Sequence, residues 1–427
     1  MERKRIGVVA DDITGSNDIG VMLAKNGFRV TVISLEDKPV ASDFDGIDAL
    51  VINTGSRLDT AQLAADKSAE AARFLKDCGC DMMYTKTCSV FRGNIGASFD
   101  AVQDELGVTC SMVVAAFPRN GRTTVSGVHY LNGVPVNETN FANDPVTPIH
   151  HARLAELIGL QSDRPCREFT AEWLDKSEDE QMAHLEELKK EAAYVIFDAR
   201  DQKDLAHVAE LIKDERNICG ASAVCEELPG AWGQKSDAAL CPQKEAEEGV
   251  LVLAGSLTPQ TTRQIAAMEE SGTPCFVLDP AALLSDAPRA QAVQQAVGFA
   301  AEQLAQKRDV LIYAARETQA VRAVSAELGI SDVEAGRRIS LAFEAIARQV
   351  KAETGLTHYL VAGGETSDSV SRGLGVRTMR IWQEIEAGVP MMTARTTGGE
   401  EVALVLKSGS FGSDTFLISA AQLLRRS

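Results

Sequence analysis

Short runs of β-branched and aliphatic residues recur along the chain. Each is followed by a polar turn and then by apolar positions at helical spacing. In the first half the runs are IGVVA, VTVISL, ALVIN, MMYT, MVVAAF and YVIFDA; in the second they are VLVLAGS, CFVLD, VLIYAA, HYLVAGG and VALVLKSG. Continuous apolar runs of this length suit strands buried on both faces, and their alternation with helical patterns predicts an α/β fold with mainly parallel sheets. Residues 60–76 read as a helix capped by Thr60, with Leu63, Ala64, Phe74 and Leu75 on its apolar face and Gly79 just past its end. Residues 172–193 read as one highly charged helix whose Leu174, Met182, Leu185 and Leu188 form a narrow apolar stripe. GVHYLNGVPVNET reads as a hairpin with Asn132-Gly133 at its turn.

The alternation breaks between Gly230 and Gly249, where AWGQKSDAALCPQKEAEEG is polar and has no sustained period. At 427 residues the chain is long for one core. Two α/β domains are therefore expected, residues 1–235 and 245–427, facing a central cleft. They share no repeat period, so duplication is not inferred.

Composition narrows the class of partner. With 45% hydrophobic and 24% charged residues and no apolar run long enough for a bilayer, the chain reads as globular with no membrane partner. MERKR runs straight into the first strand with no apolar signal core after it, so a cytoplasmic location is expected. A net charge of −18 argues against nucleic acid, which needs a basic face to displace counterions. Any anion bound here must meet cations gathered locally. The nine cysteines are odd in number and scattered, and His150-His151 lacks partners at ligand spacing, so no metal site is read from them.

Cations and carboxylates do gather at the predicted strand ends. The first cluster is Asp11, Asp12 and Thr14; the second is Asn53-Thr54-Gly55-Ser56-Arg57. The third runs from Tyr84 through Lys86, Thr87, Cys88 and Ser89 to Arg92, Gly93 and Asn94. Ligands of open parallel sheets bind beyond the carboxyl ends of the strands, so these three could share one crevice. Their carboxylates suit hydroxyls and protons, while Arg57, Lys86 and Arg92 suit an anion. A fourth cluster, Phe117 to Thr124, adds Arg119 and Arg122.

The second half instead offers glycine turns between strand and helix: Gly255-Ser256 with Thr258, Gly363-Gly364 with Glu365 and Thr366, and Lys407-Ser408-Gly409 leading to a helix capped by Ser413. Backbone amides in such turns, with a helix N-terminus behind them, make seats for phosphate. None has the spacing of a P-loop or of a dinucleotide fingerprint. A domain for a small hydroxylated acid and a domain for a nucleotide together describe a phosphotransferase, in which Mg²⁺ and cations neutralise the donor and an aspartate takes the acceptor's proton.

VVADDITGSND, INTGSR, KTCSVFRGNIG, FPRNGRTTVSGVHYLNGVP, LVLAGS, VAGGETS and KSGSFG occur in this order over nearly the whole chain. Together they resemble the four-carbon acid sugar kinases, formerly catalogued as a domain of unknown function. The resemblance implies an ATP- and Mg²⁺-dependent kinase acting on the terminal hydroxyl of a C4 sugar acid such as threonate, erythronate or 3-oxo-tetronate. It implies substrate contacts from Asp11, Asp12, Arg57, Lys86, Thr87, Cys88, Ser89 and Arg92, with Asp11 or Asp12 as the base. It implies ATP contacts from Ser256, Gly363, Gly364, Glu365, Thr366 and Gly409. Cys88 and Val90 stand where many members have aspartate and threonine, which bears on the substrate subclass. Ser16-Asn17-Asp18 points to D-threonate or D-erythronate, with 3-oxo-tetronate or another short hydroxy acid as alternatives. A nicotinamide-dependent hydroxy-acid dehydrogenase is the rival from another class. A homodimer is an assembly the sequence leaves open.

Overall fold

The computed structural model describes residues 3–144, 147–236, 248–314 and 318–426. The chain divides into two compact units, Met1–Ala238 and Ala239–Ser427. Residues 237–247 of the predicted linker lie outside the described residues.

The first unit contains strands β1 (Ile6–Ala10), β2 (Val30–Ser34), β3 (Ala49–Asn53), β4 (Met82–Lys86), β5 (Ser111–Val114), β6 (Arg122–Val125), β7 (Val128–Leu131), β8 (Val134–Pro135), β9 (Cys166–Phe169), β10 (Tyr194–Phe197) and β11 (Asn217–Gly220). Its main sheet has the order β2-β3-β1-β4-β11-β5-β10-β9, and every pairing is parallel. β1, β3 and β4 are buried along their whole length, as their unbroken apolar sequences require. From β1 the chain runs outward to β2 and returns by β3, then crosses to β4 on the other side of β1. The order therefore reverses between β1 and β4, which is where an open parallel sheet leaves a crevice.

β6, β7 and β8 form a separate antiparallel sheet. Asn132 and Gly133 both have positive φ, 51° and 80°, as a two-residue hairpin turn demands. The same geometry recurs at Ser126-Gly127, so the predicted hairpin is one half of a three-stranded meander.

The second unit contains β12 (Leu251–Ala254), β13 (Cys275–Val277), β14 (Val310–Tyr313), β15 (His358–Ala362), β16 (Val376–Glu386), β17 (Val389–Thr396) and β18 (Glu401–Lys407). Their order is β13-β14-β12-β15-β18-β17-β16, parallel from β13 to β18 and antiparallel beyond it. Its reversal lies between β12 and β15.

Three local readings need correction. The helix Ala61–Asp77 starts at Thr60, whose side chain accepts from the Leu63 amide, but Leu63 itself is exposed. Ala64, Ser68, Ala71, Ala72 and Leu75 are buried instead, because small side chains let this helix lie close to the sheet. The charged stretch 172–193 is two helices, Ala171–Leu174 and Glu178–Glu191. Ser177 and Glu180 cap each other at the break, and Met182 is exposed. The last helix, Phe416–Leu424, is entered through Thr415; the Ser413 amide and hydroxyl bond Glu386 instead.

Candidate active site

At the first reversal, strand register brings the predicted clusters to one level. Ala10 pairs with Asn53 on one side and with Lys86 on the other, and Lys86 pairs with Gly220. Backbone bonds continue past the strands: Thr54 donates to Ala10, Arg57 and Lys86 are tied to Asp11 through its carbonyl and amide, and Thr87 donates to Gly220. Asp11, Thr54, Lys86, Thr87 and Asn94 accordingly line one small pocket.

Asp12 caps the helix Ile13–Ala24, accepting from the Gly15 amide at 2.7 Å and from the Thr14 hydroxyl at 2.9 Å. Arg57 closes over both aspartates. Its Nε and Nη2 grip Asp11 at 2.8 and 2.7 Å, and its Nη1 bonds Asp12. Burial pushes the Asp12 carboxyl up, but Arg57 and Lys86 outweigh it and hold the group below its ordinary range. Burial likewise opposes charge on Arg57, yet Asp11 and Asp12 lift its pKa well above normal.

Lys86 is buried and sits 3.5 Å from Asp18, while donating to the Thr87 carbonyl at 2.8 Å. Asp18, which the sequence reading did not place in the site, also accepts from Ser222 at 2.6 Å. Its burial wins over Lys86, so its carboxyl titrates above the usual range. Asn17 beside it is fully buried, with neither polar side-chain atom partnered. Arg92 pairs with Asp144 at 2.6 Å and lies over the Phe141 ring. Each of the three cations expected to meet an anion thus already has a carboxylate.

Cys88 is buried close to Arg92 and Arg57. Burial raises its thiol, but the two guanidiniums and the Val90 amide more than offset this and bring it to about 7. The Ser89 carbonyl accepts from His129 Nε2 at 2.9 Å, which fastens this loop to β7. Burial keeps His129 neutral, with a pKa near 4.

At the second reversal the glycine turns converge. Gly255 and Ser256 donate to the Ala362 carbonyl, and Gly363 donates to the Lys407 carbonyl at 2.9 Å. Gly363 has φ 125° and precedes the helix Gly364–Leu374, which carries Glu365 and buried Thr366 in its first turn. A Cβ at Gly409 would collide with Ser256 Oγ, and one at Gly363 would lie 3.1 Å from the Ser256 amide. Only glycine lets these turns approach so closely. The Gly409 carbonyl accepts from the hydroxyls of Thr258 and Thr261, at 2.6 and 2.9 Å, and from Lys407 at 3.2 Å. The sequence places Lys407 in this turn but gives its side chain no role, and it gives no sign of Thr261.

A sugar-binding N-terminal domain matches residues 6–228, and a nucleotide-binding C-terminal domain matches residues 251–417. The chain belongs to the four-carbon acid sugar kinase family. Relatives named 3-oxo-tetronate kinase include one from Pseudomonas fluorescens, 33% identical over 98% of this chain and 96% of its own. Another, from Cupriavidus necator, is 34% identical over 99% and 98%. Among solved structures, a Salmonella typhimurium protein described as a putative tRNA synthase is 31% identical and superposes with a TM-score of 0.85 over 98% of this chain and 99% of its own. A Haemophilus influenzae protein of the former domain-of-unknown-function family is 29% identical with a TM-score of 0.75, over 98% and 100%.

Among the described residues, no group of three or more His, Cys, Asp or Glu side chains could hold a metal ion, and no helix is long and apolar enough to cross a membrane. Mg²⁺ in this family of reactions needs few protein ligands, since phosphates and water fill most of its octahedron. Glu365 lies in the first turn of the helix that follows Gly363.

Proposed function

We propose that the protein is an ATP-dependent kinase for the terminal hydroxyl of a four-carbon sugar acid, with a 3-oxo-tetronate as substrate ahead of D-threonate or D-erythronate. One observation carries this reading. The reversal of one sheet gathers carboxylates and cations, while the reversal of the other gathers the glycine turns of Ser256, Gly363 and Gly409, with Glu365 in the first turn of the helix that follows Gly363. The first chemistry suits an acceptor and the second suits phosphates. The names of the relatives favour the 3-oxo acid, and Cys88 in place of the common aspartate is the local change that bears on it.

Phosphoryl transfer asks the protein mainly to position groups and to stabilise charge. Asp12 is held ionised by Arg57 and Lys86, so it orients the acceptor hydroxyl as a hydrogen-bond acceptor and receives its proton late, as a loose transition state permits. Arg57 fixes Asp11 and Asp12 relative to each other before the substrate arrives. Ser256, Gly363, Gly364, Thr366 and Gly409 present amides and hydroxyls to the phosphates. Mg²⁺, when bound with the nucleotide, supplies further neutralisation of the phosphate charge, and Glu365 would hold it.

A coupled ADP-release assay over both 3-oxo-tetronate configurations, D-threonate, D-erythronate and glycerate tests the reading. ADP should appear with a four-carbon acid, and the 3-oxo acid should have the highest kcat/KM. A preference for D-threonate would overturn the substrate assignment. Absence of ADP with every acid would overturn the kinase, and a nicotinamide absorbance change in its place would establish the dehydrogenase.

A further inference from the structure

We propose that Arg122, rather than Arg57, is the residue that receives the carboxylate of the substrate acid. The inference deepens the kinase reading and rests on it. Arg57 is closed by Asp11 and Asp12, Arg92 by Asp144, and Lys86 by Asp18. Arg122 is only 7% exposed and has no carboxylate partner among the described residues. Its Nη1 donates to the Asn120 carbonyl, and its Nε is buried without any acceptor. Two more buried donors nearby are also unmatched, Arg92 Nε and Asn120 Nδ2. Buried donors are almost always paired, and a buried guanidinium with no anion is strongly disfavoured. Three unmet donors and an unpaired cation share one deficit, which a ligand with anionic oxygens would fill.

The placement is independent of any salt bridge. Arg122 opens β6 directly after the left-handed Gly121, and it exchanges two backbone bonds with Phe117, at 2.8 and 3.0 Å. Its backbone is therefore fixed before a ligand binds. Burial lowers the pKa of this guanidinium, and Cys88 and Asp18 are the ionisable groups that act on it in the opposite sense. Asp18 is already engaged by Ser222 and Lys86, and Cys88 lies beside Arg92. Arg92, in the loop after β4, and Arg122, at the start of β6, both feel the charge of Cys88, and a carboxylate reaching their unmatched donors would meet planar groups suited to two-oxygen pairing. Arg57 keeps a different task, that of holding the paired aspartates.

Phosphate oxygens would satisfy the same donors, so the test separates the two sources. Arg122→Met and Arg122→Lys are assayed with the four-carbon acid, with the corresponding neutral tetritol, and with ATP. Arg122→Met should raise KM for the acid on the order of 100-fold while leaving KM for ATP and turnover of the tetritol near wild type. Arg122→Lys should recover part of the loss. Without ligand, Arg122→Met should melt no lower than wild type, because an unpaired buried charge has gone, and the acid should no longer raise its melting temperature. An unchanged KM for the acid overturns the assignment, as does a loss confined to ATP, which would point to phosphate. Equal loss with acid and tetritol, or a lowered melting temperature with the acid's effect intact, would make Arg122 a structural clamp. If wild type phosphorylates no four-carbon acid, the kinase reading falls and takes this assignment with it; wild-type turnover with an indifferent variant removes only the assignment.

Discussion

Lys407 donates to three neutral oxygens, those of Thr261, Ser408 and Gly409, at 3.0 to 3.2 Å. Burial without a counter-charge lowers its pKa to about 7. A polyphosphate seated on the Gly409 turn would favour the charged form, so nucleotide binding should take up a proton near neutral pH. Affinity for ATP should then weaken as pH rises through 7, and Lys407→Met should flatten that dependence while weakening ATP on the order of tenfold at low pH. Titration calorimetry in buffers of different ionisation enthalpy reads both quantities; a pH-independent affinity would remove Lys407 from the account. The same shift has a sign for stability. The unfolded lysine titrates near 10.5 and the native one near 7, so between these values the unfolded chain binds more protons. The destabilisation is complete below pH 7 and fades as pH rises toward 10.5. Lys407→Met should therefore gain most in melting temperature over wild type in acid.

At the scale of elements, three donors draw the Gly409 carbonyl inward. A trans peptide points its N–H opposite to its C=O, so the Ser410 amide is turned the other way, outward from that cluster. Gly409→Val would drive a side chain into Ser256 and Thr258 and open this arrangement. ATP affinity should fall about 100-fold or more, with the acid's effect on melting retained, since the first sheet is unaltered. Preserved ATP binding by calorimetry would contradict the assignment of the turn. Such turns are legible in a sequence because glycine at a strand–helix junction is a local signal, and the buried strands announce themselves as unbroken apolar runs. What Arg57, Lys86 and Arg92 pair with was not legible. Their partners Asp11, Asp18 and Asp144 lie 46 to 68 positions away, and the register that joins them is set by the whole sheet. The shifted titration of Asp18 and Lys407 was hidden for the same reason: burial, the property that causes it, is not a local feature. The break before Ser177 was missed because its capping box lies inside a stretch of continuous helical periodicity.

At the scale of the molecule, a chain of net charge −18 has to bind two anions. In the proposed reading it does so with a few cations buried within otherwise apolar sheets rather than with a basic face. In the first unit most of these cations are spoken for by aspartates, which leaves Arg122; in the second, Lys407 stands without a carboxylate among the described residues. Screening by salt should therefore affect binding little, since buried charges are shielded from mobile ions. The central claim is the transfer of a phosphoryl group from ATP to the terminal hydroxyl of a four-carbon sugar acid. Phosphorus and carbon NMR of a mixture of ATP, Mg²⁺ and 3-oxo-tetronate tests it most directly. The account predicts one ADP per phosphate ester, with the new phosphorus coupled to C4 of the acid. ADP accompanied only by inorganic phosphate, or an ester at any other carbon, would contradict it.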